Sequence, residues 1–389
     1  MFDWALYLAL VTALAIGYWQ GQRQQKNSQR KDEGQDLSRQ YIRGLNFLLD
    51  NQQDAAIESF IKALEVNSET LDTHLALGKL LRRRGEVDRA IRIHQNLLAR
   101  PGLTQEQTQH ARYELATDFS KAGLLDRAEG LLQELVEAGP FQTKALIGLL
   151  GVYRDEQEWE QGLVVLQSLS GPRLGKSYEK WAPVRAHFCC ELAEQEIAKS
   201  DYKAVRQWLR QALNYDKYNP RAIMLLGRLE IASGNTQRGI QQLQKIVEKS
   251  PDYISEVLPH LSEGYKSLKD LKKYRDFLIT TYQKNADSTL ILAITNVIEQ
   301  VDGQRAAAEF IAREVSMHPS GMGLNKLLDY YMIFTDSKCR EYLSILKKIA
   351  ERIIIDLSHY QCSHCGFKGQ ELHWLCPSCK CWGKIKATK

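Results

Sequence analysis

Small side chains recur along this chain with a period of 34 residues, and no other feature restricts the fold so strongly. Repeats start near Leu37, Leu71, Gln109, Thr143, Ala186, Pro220, Ile254 and Ser288. The eighth position of a repeat is Gly44, Gly78, Ala116, Ala193 or Gly227, and the twentieth is Ala56, Ala90, Ala128, Gly162, Gly239 or Ala307. Two helices packed antiparallel need small residues at such places, because a larger Cβ substituent holds the backbones apart. Gly85, Gly123 and Gly234 fall at the turn between the two helices of a repeat, and Pro140, Pro251 and Pro319 stand where a helix must stop.

A period of 34 built from helix pairs is that of tetratricopeptide arrays, in which each pair buries an apolar face against its neighbours. Two intervals are longer, and place insertions around residues 99–108 and 168–185, the second marked as a loop by Gly171, Pro172 and Gly175. Leu150, Leu261 and Thr295 replace the small residue in repeats four, seven and eight, so those repeats are degenerate. Helical stretches at about 324–334 and 338–356 are expected to cap the stack. Only nine prolines in 389 residues, with abundant Ala, Leu, Gln, Glu, Lys and Arg, agree with a mainly helical chain.

Such an array offers a concave face lined by the first helix of each repeat, which makes binding of another protein the default expectation. Lys79, Arg82 and Arg83 in repeat two, with Tyr113 and Lys121 in repeat three, are the candidate partner-binding residues, as donors to acidic side chains or a terminal carboxylate. The alternative for all five is a solvated helix face. Cys189 and Cys190 are expected to be buried small apolar residues, because adjacent positions on a helix point in different directions.

Before the repeats, Trp4 to Gln22 contains no charged side chain and the apolar core ends in aromatic residues. This pattern predicts a transmembrane helix over residues 1–20 with interfacial anchors. Asp3 precedes it while Arg23, Lys26, Arg30 and Lys31 follow, which keeps the following chain on the cytoplasmic side and argues against a cleaved secretory signal. Residues 21–36 read as a polar linker, 37–357 as the solenoid and 358–389 as a separate small domain.

Of the eight cysteines, five lie between Cys362 and Cys381. The two C-x-x-C knuckles, Cys362 with Cys365 and Cys376 with Cys379, are spaced to hold one iron or zinc ion in tetrahedral four-sulfur coordination. A segment of about 30 residues is too short to fold on its own core, so the ion is expected to supply folding free energy. Phe367, Trp374 and Trp382 are expected to pack around the knuckles. His364 and His373 are read as bystanders, and Cys381 as an extra thiol that competes for coordination or stays free. A closed four-thiolate site leaves no position for an activated water, and no phosphate loop, H-E-x-x-H or nucleophile elbow occurs, so no enzyme is expected. A net charge of +5, from 52 basic and 47 acidic residues, is too small for dedicated nucleic-acid binding.

The order of anchor, repeats and knuckle pair, with the stretches NFLLDNQQDAAI (Asn46 to Ile57), RGEVDRAIRIHQ (Arg84 to Gln95), CSHCGF and WLCPSCKCW, resembles the lipopolysaccharide assembly protein B family of Gram-negative bacteria over essentially the whole chain. The resemblance implies an all-α tetratricopeptide solenoid with an N-terminal transmembrane helix and a C-terminal rubredoxin-like metal domain packed on the repeats. It implies a non-enzymatic adaptor in the inner membrane that presents LpxC, the deacetylase of lipid A synthesis, to the membrane AAA+ protease FtsH. It further implies control by another inner-membrane regulator of lipopolysaccharide synthesis. The metal ligands carried over are Cys362, Cys365, Cys376 and Cys379. Lys380 stands where true rubredoxins usually have Gly, and the spacer between knuckles is shorter, which weighs against iron electron transfer; a membrane-tethered rubredoxin-type redox protein is the alternative reading. Anchor and solenoid both permit a homo-oligomer.

Overall fold

The computed structural model describes residues 71–99, 101–137, 139–170, 175–284, 287–355 and 360–388, with a few positions between 42 and 59. The expected membrane helix, the linker and most of the first repeat lie outside the described residues. Among the described residues, no helix is long and apolar enough to cross a membrane.

The chain divides into two compact units, residues 1–156 and 157–389. The first contains α1 (Leu71–Arg83), α2 (Val87–Leu98), α3 (Gln105–Lys121), α4 (Leu125–Glu137) and α5 (Gln142–Asp155). Each turn between paired helices is tight: Gly85 and Gly123 sit at φ 85° and 76°, where a Cβ would be strained. Ala90, Ala116 and Ala128, all at repeat positions expected to be small, are fully buried. The α3 helix starts at Gln105, inside the expected insertion. Thr104 and Gln107 form a capping box there, Thr104 Oγ1 accepting from the Gln107 amide at 3.3 Å and Gln107 Oε1 accepting from the Thr104 amide at 2.9 Å.

The second unit contains α6 (Trp159–Ser170), α7 (Lys176–Ala198), α8 (Tyr202–Tyr215), α9 (Pro220–Ala232), α10 (Thr236–Lys249), a 3-10 turn (Pro251–Tyr253), α11 (Ile254–Ser267), α12 (Leu271–Lys284), α13 (Ser288–Asp302), α14 (Gln304–Met317), α15 (Gly321–Phe334) and α16 (Ser337–Ile355). Helices begin at Pro220, Ile254 and Ser288, the positions where the 34-residue period starts a repeat. The second insertion differs from the expected loop: α7 extends ten residues ahead of Ala186 and carries Pro183 inside it. The segment KSYEKWA after Gly175 has good helix formers and no competing turn residue, which outweighs the proline.

Among the described glycines, the tightest contact to a backbone atom is between α9 and α10. A Cβ built on Gly239 would stand 2.6 Å from the Gly227 carbonyl oxygen, so that position requires glycine, whereas one on Gly227 would press on the Leu243 side chain at 2.7 Å. One continuous core then runs from Ile223 and Leu243 through Leu261, Tyr274 and Ile294 to Ile311 and Tyr330. At its end, α15 contributes buried Leu328 and Tyr330, with the Tyr330 hydroxyl donating to Glu299 at 2.7 Å. The next helix, α16, leaves Tyr342, Ile345, Leu346 and Ile349 exposed.

Three short strands follow: β1 (Tyr360–Cys362), β2 (Lys368–Gly369) and β3 (Ile385–Ala387), in an antiparallel sheet of order β2-β1-β3. Tyr360 pairs with both Gly369 and Ala387, and Cys362 with Ile385.

Candidate metal centre and its seat on the repeats

The first knuckle leaves β1 at Cys362 and returns through Gly366, whose amide donates to the Cys362 carbonyl at 2.9 Å. The second repeats this turn, the Lys380 amide donating to the Cys376 carbonyl at 2.9 Å. Lys380 adopts φ 56°, a left-handed conformation without the glycine usual in such a knuckle.

The four sulfurs converge. Cys362 and Cys379 Sγ are 3.8 Å apart, Cys365 and Cys376 Sγ 3.7 Å, and all four lie within 4.8 Å of one another. Metal–sulfur bonds of about 2.3 Å in a tetrahedron place the sulfurs about 3.8 Å apart, so the donor set fits one ion. The Phe367 amide, helped by the neighbouring sulfurs, holds the exposed Cys365 thiol down to about 6, whereas desolvation pushes the Cys379 thiol up. An ion needs such a thiolate. Cys362 and Cys376 are buried with Ile385, and Tyr360, Phe367 and Leu372 pack against them.

Phe367 therefore packs as expected, but the two tryptophans do not. Trp374 and Trp382 flank the second knuckle, tied together by the Gly383 amide donating to the Trp374 carbonyl at 2.7 Å, and they point away from it into the repeats. Trp382 stacks on His187 at 5.1 Å and 17°, and meets Phe188 and Trp159 edge-on. Trp374 stacks on Tyr253 at 5.1 Å. The reason is area: a core of three buried residues cannot cover two indoles, whereas α7 and the 3-10 turn present a large apolar surface.

Polar contacts surround this seat. Lys386 pairs with Asp252 at 2.5 Å, Tyr360 donates to Glu256, and Tyr253 donates to the Gly383 carbonyl at 3.3 Å. Beneath Trp382, Arg221 pairs with Glu191 at 2.7 Å and Glu194 at 2.9 Å. None of His187, Arg221, Tyr253, Asp252 or Glu256 stood out in the sequence. The available signal was the excess of tryptophan in a segment too small to bury it.

Burial, reinforced by the Arg221 guanidinium, holds the His187 ring down to about 3 from its ordinary 6.5. Unfolded chain binds a proton that the seated ring excludes, so this contribution is complete above about 6.5 and is lost as pH falls toward about 3. His187→Phe keeps a flat ring under Trp382 and should flatten the loss of stability between neutral pH and about pH 5. Denaturant midpoints followed by tryptophan emission check this, and parallel acid limbs in variant and parent would contradict it.

The candidate partner residues are divided in the first unit. Arg82 Nη1 lies 2.6 Å from Asp118 and its Nη2 2.8 Å from Glu114, while Lys79 Nζ is 3.0 Å from Glu114. His94, fully buried, pairs with the other oxygen of Asp118. Burial alone raises the Glu114 carboxyl, but Arg82 and Lys79 outweigh it and leave the group lowered. Tyr113 is half-buried against Phe141, and Arg83 and Lys121 are exposed. Arg82 thus joins α1 to α3. Arg82→Met leaves Asp118 and Glu114 short of their partner and should cost about 3–5 kcal/mol. A thermal midpoint within a degree or so of the parent would refute this.

Cys189 and Cys190 are fully buried in the α7–α9 core, and burial pushes the Cys189 thiol up to about 12. His373 lies beside Phe367, whereas His364 and Cys381 approach Cys379.

Residues 360–387 match the family described as rubredoxin metal binding domain, and residues 44–102 and 196–258 each match tetratricopeptide repeat. Over 385 residues, the chain is 36% identical to lipopolysaccharide assembly protein B of Escherichia coli strain K12, covering 99% of this chain and 98% of that one. Its similarity to lipopolysaccharide assembly protein B of Haemophilus influenzae is 33% over 390 residues, covering 98% and 97%. The yeast Sti1 TPR2AB domain in complex with pHSP90 covers 71% of this chain at 14% identity and a TM-score of 0.31, too low to bear on function.

Proposed function

The chain belongs to the lipopolysaccharide assembly protein B family, and from that premise we propose that it is a non-enzymatic adaptor limiting lipopolysaccharide synthesis. In this reading residues 1–20 anchor it in the inner membrane with the repeats on the cytoplasmic side. The repeats hold LpxC for proteolysis by FtsH, and the inner-membrane regulator acts through the anchor. One iron or zinc ion on Cys362, Cys365, Cys376 and Cys379 supplies folding free energy to the ribbon.

The observation that carries this is the seating of the ribbon. A redox centre needs no broad attachment, whereas Trp374 and Trp382 bind the ribbon across α7 and the 3-10 turn as a structural part of the repeat unit. Partner contact through Arg83 and Lys121 fits their exposure, with half-buried Tyr113 as a further candidate. Lys79 and Arg82 shape that face by holding Glu114 and Asp118. Arg83→Glu with Lys121→Glu is therefore the cleaner surface test, because neither residue makes the α1–α3 ion pairs.

The half-life of LpxC in cells lacking the chain tests the function. It is expected to lengthen severalfold and to return to normal with the intact chain but not with the four-cysteine variant. An unchanged half-life on depletion would refute the adaptor.

A further inference from the structure

One cluster beside the metal centre is not used by it. His364, in the first knuckle, and Cys381, two residues past the second, offer ligand atoms that lie with Cys379 Sγ within 4.8 Å of one another. Cys379 thus belongs to two groups, the four-thiolate set and this outer trio.

We propose that His364, Cys379 and Cys381 form a second, open metal site that shares the Cys379 sulfur with the four-thiolate centre and holds a second soft divalent cation of the zinc type. The inference rests on the four-thiolate reading, since Cys379 must already be a bound thiolate.

Four observations support it. Thiolate and imidazole are the donors that zinc-type ions select, at bonds of about 2.3 and 2.0 Å. Such bonds separate ligand atoms by about 3.3–3.8 Å, which an exposed His364 ring and the thiols reach by small rotations. The backbone is pinned on both sides: the Cys376 amide donates to the Cys381 carbonyl at 3.0 Å, and the Ser363 amide to the Lys384 carbonyl at 2.8 Å. The left-handed turn at Lys380 is what brings Cys381 back toward Cys379.

Charge favours the same result. Four thiolates around a divalent ion carry a net charge of −2, and a second cation on a bridging sulfur reduces it. A thiolate sulfur keeps lone pairs after binding one ion, so it can bridge two. The inner site is closed, but the outer one has three protein ligands and leaves a fourth position to water or an incoming ligand. The outer ion is therefore the exchangeable one.

The test uses the full chain in detergent, carrying Cys339→Ser so that this exposed thiol does not add a ligand. The protein is equilibrated with excess zinc under reducing conditions and weighed by native mass spectrometry. Two ions per chain are expected, falling to one in Cys381→Ser and in His364→Ala. With cadmium-113, two resonances coupled through the shared sulfur are expected. One ion in parent and variants alike would overturn the second site and make His364 and Cys381 bystanders or substitute ligands. No bound ion in any of them would instead overturn the four-thiolate reading.

Discussion

Removing the ion from the four thiolates, by a strong chelator or by Cys362→Ser with Cys376→Ser, will unfold residues 360–387 and release both tryptophans from the repeats. The ribbon buries only Cys362, Cys376 and Ile385. A core that small cannot offset the entropy of ordering about 30 residues, whereas a structural ion contributes about 10–16 kcal/mol. Indole emission should shift to the red as Trp374 and Trp382 leave Tyr253 and His187, while far-ultraviolet circular dichroism loses little, because the helices from α7 to α15 have their own cores. Unchanged emission after complete removal of metal would show that the ribbon stays seated without its ion.

Trp382→Ala separates seating from metal binding. The indole contacts His187, Phe188 and Trp159, with Arg221 at 6.0 Å, and its removal leaves that recess open to water. Trp382 is only partly buried, so a loss of about 2–3 kcal/mol is expected, enough to make the ribbon detach before the helices unfold. Cys376 and Cys379 do not depend on that indole, so the variant should retain its ion by mass spectrometry. Amide exchange across α7 near His187 should accelerate. Loss of the ion together with detachment would mean that the seat, and not the knuckles, holds the metal site together.

Local requirements of this fold are legible in the sequence, and contacts between distant elements are not. Glycine and alanine at fixed repeat positions announce helix pairs as a set, because close backbone approach is a local requirement, as where Gly239 meets the Gly227 carbonyl. The knuckles are legible for the same reason, since spacing alone brings the four sulfurs within reach of one ion. Contacts between elements were not legible. Lys79 and Arg82 look like free cations in sequence, but Glu114 and Asp118 arrive from a neighbouring repeat in a register the sequence does not display. Trp374 and Trp382 read as knuckle packing in sequence because their partners, Tyr253 and His187, are more than a hundred residues away. The long start of α7 follows directly on the loop signals Gly171, Pro172 and Gly175, which hide it, and the early start of α3 is marked only by its T-x-x-Q capping box.

The most direct test is proteolysis of purified LpxC by FtsH in liposomes, with the intact chain or its Trp382→Ala variant added. The adaptor account predicts that the intact chain speeds LpxC degradation severalfold and that the variant, metal-loaded but with its ribbon unseated, does not. Degradation at the same rate with and without the intact chain would contradict it.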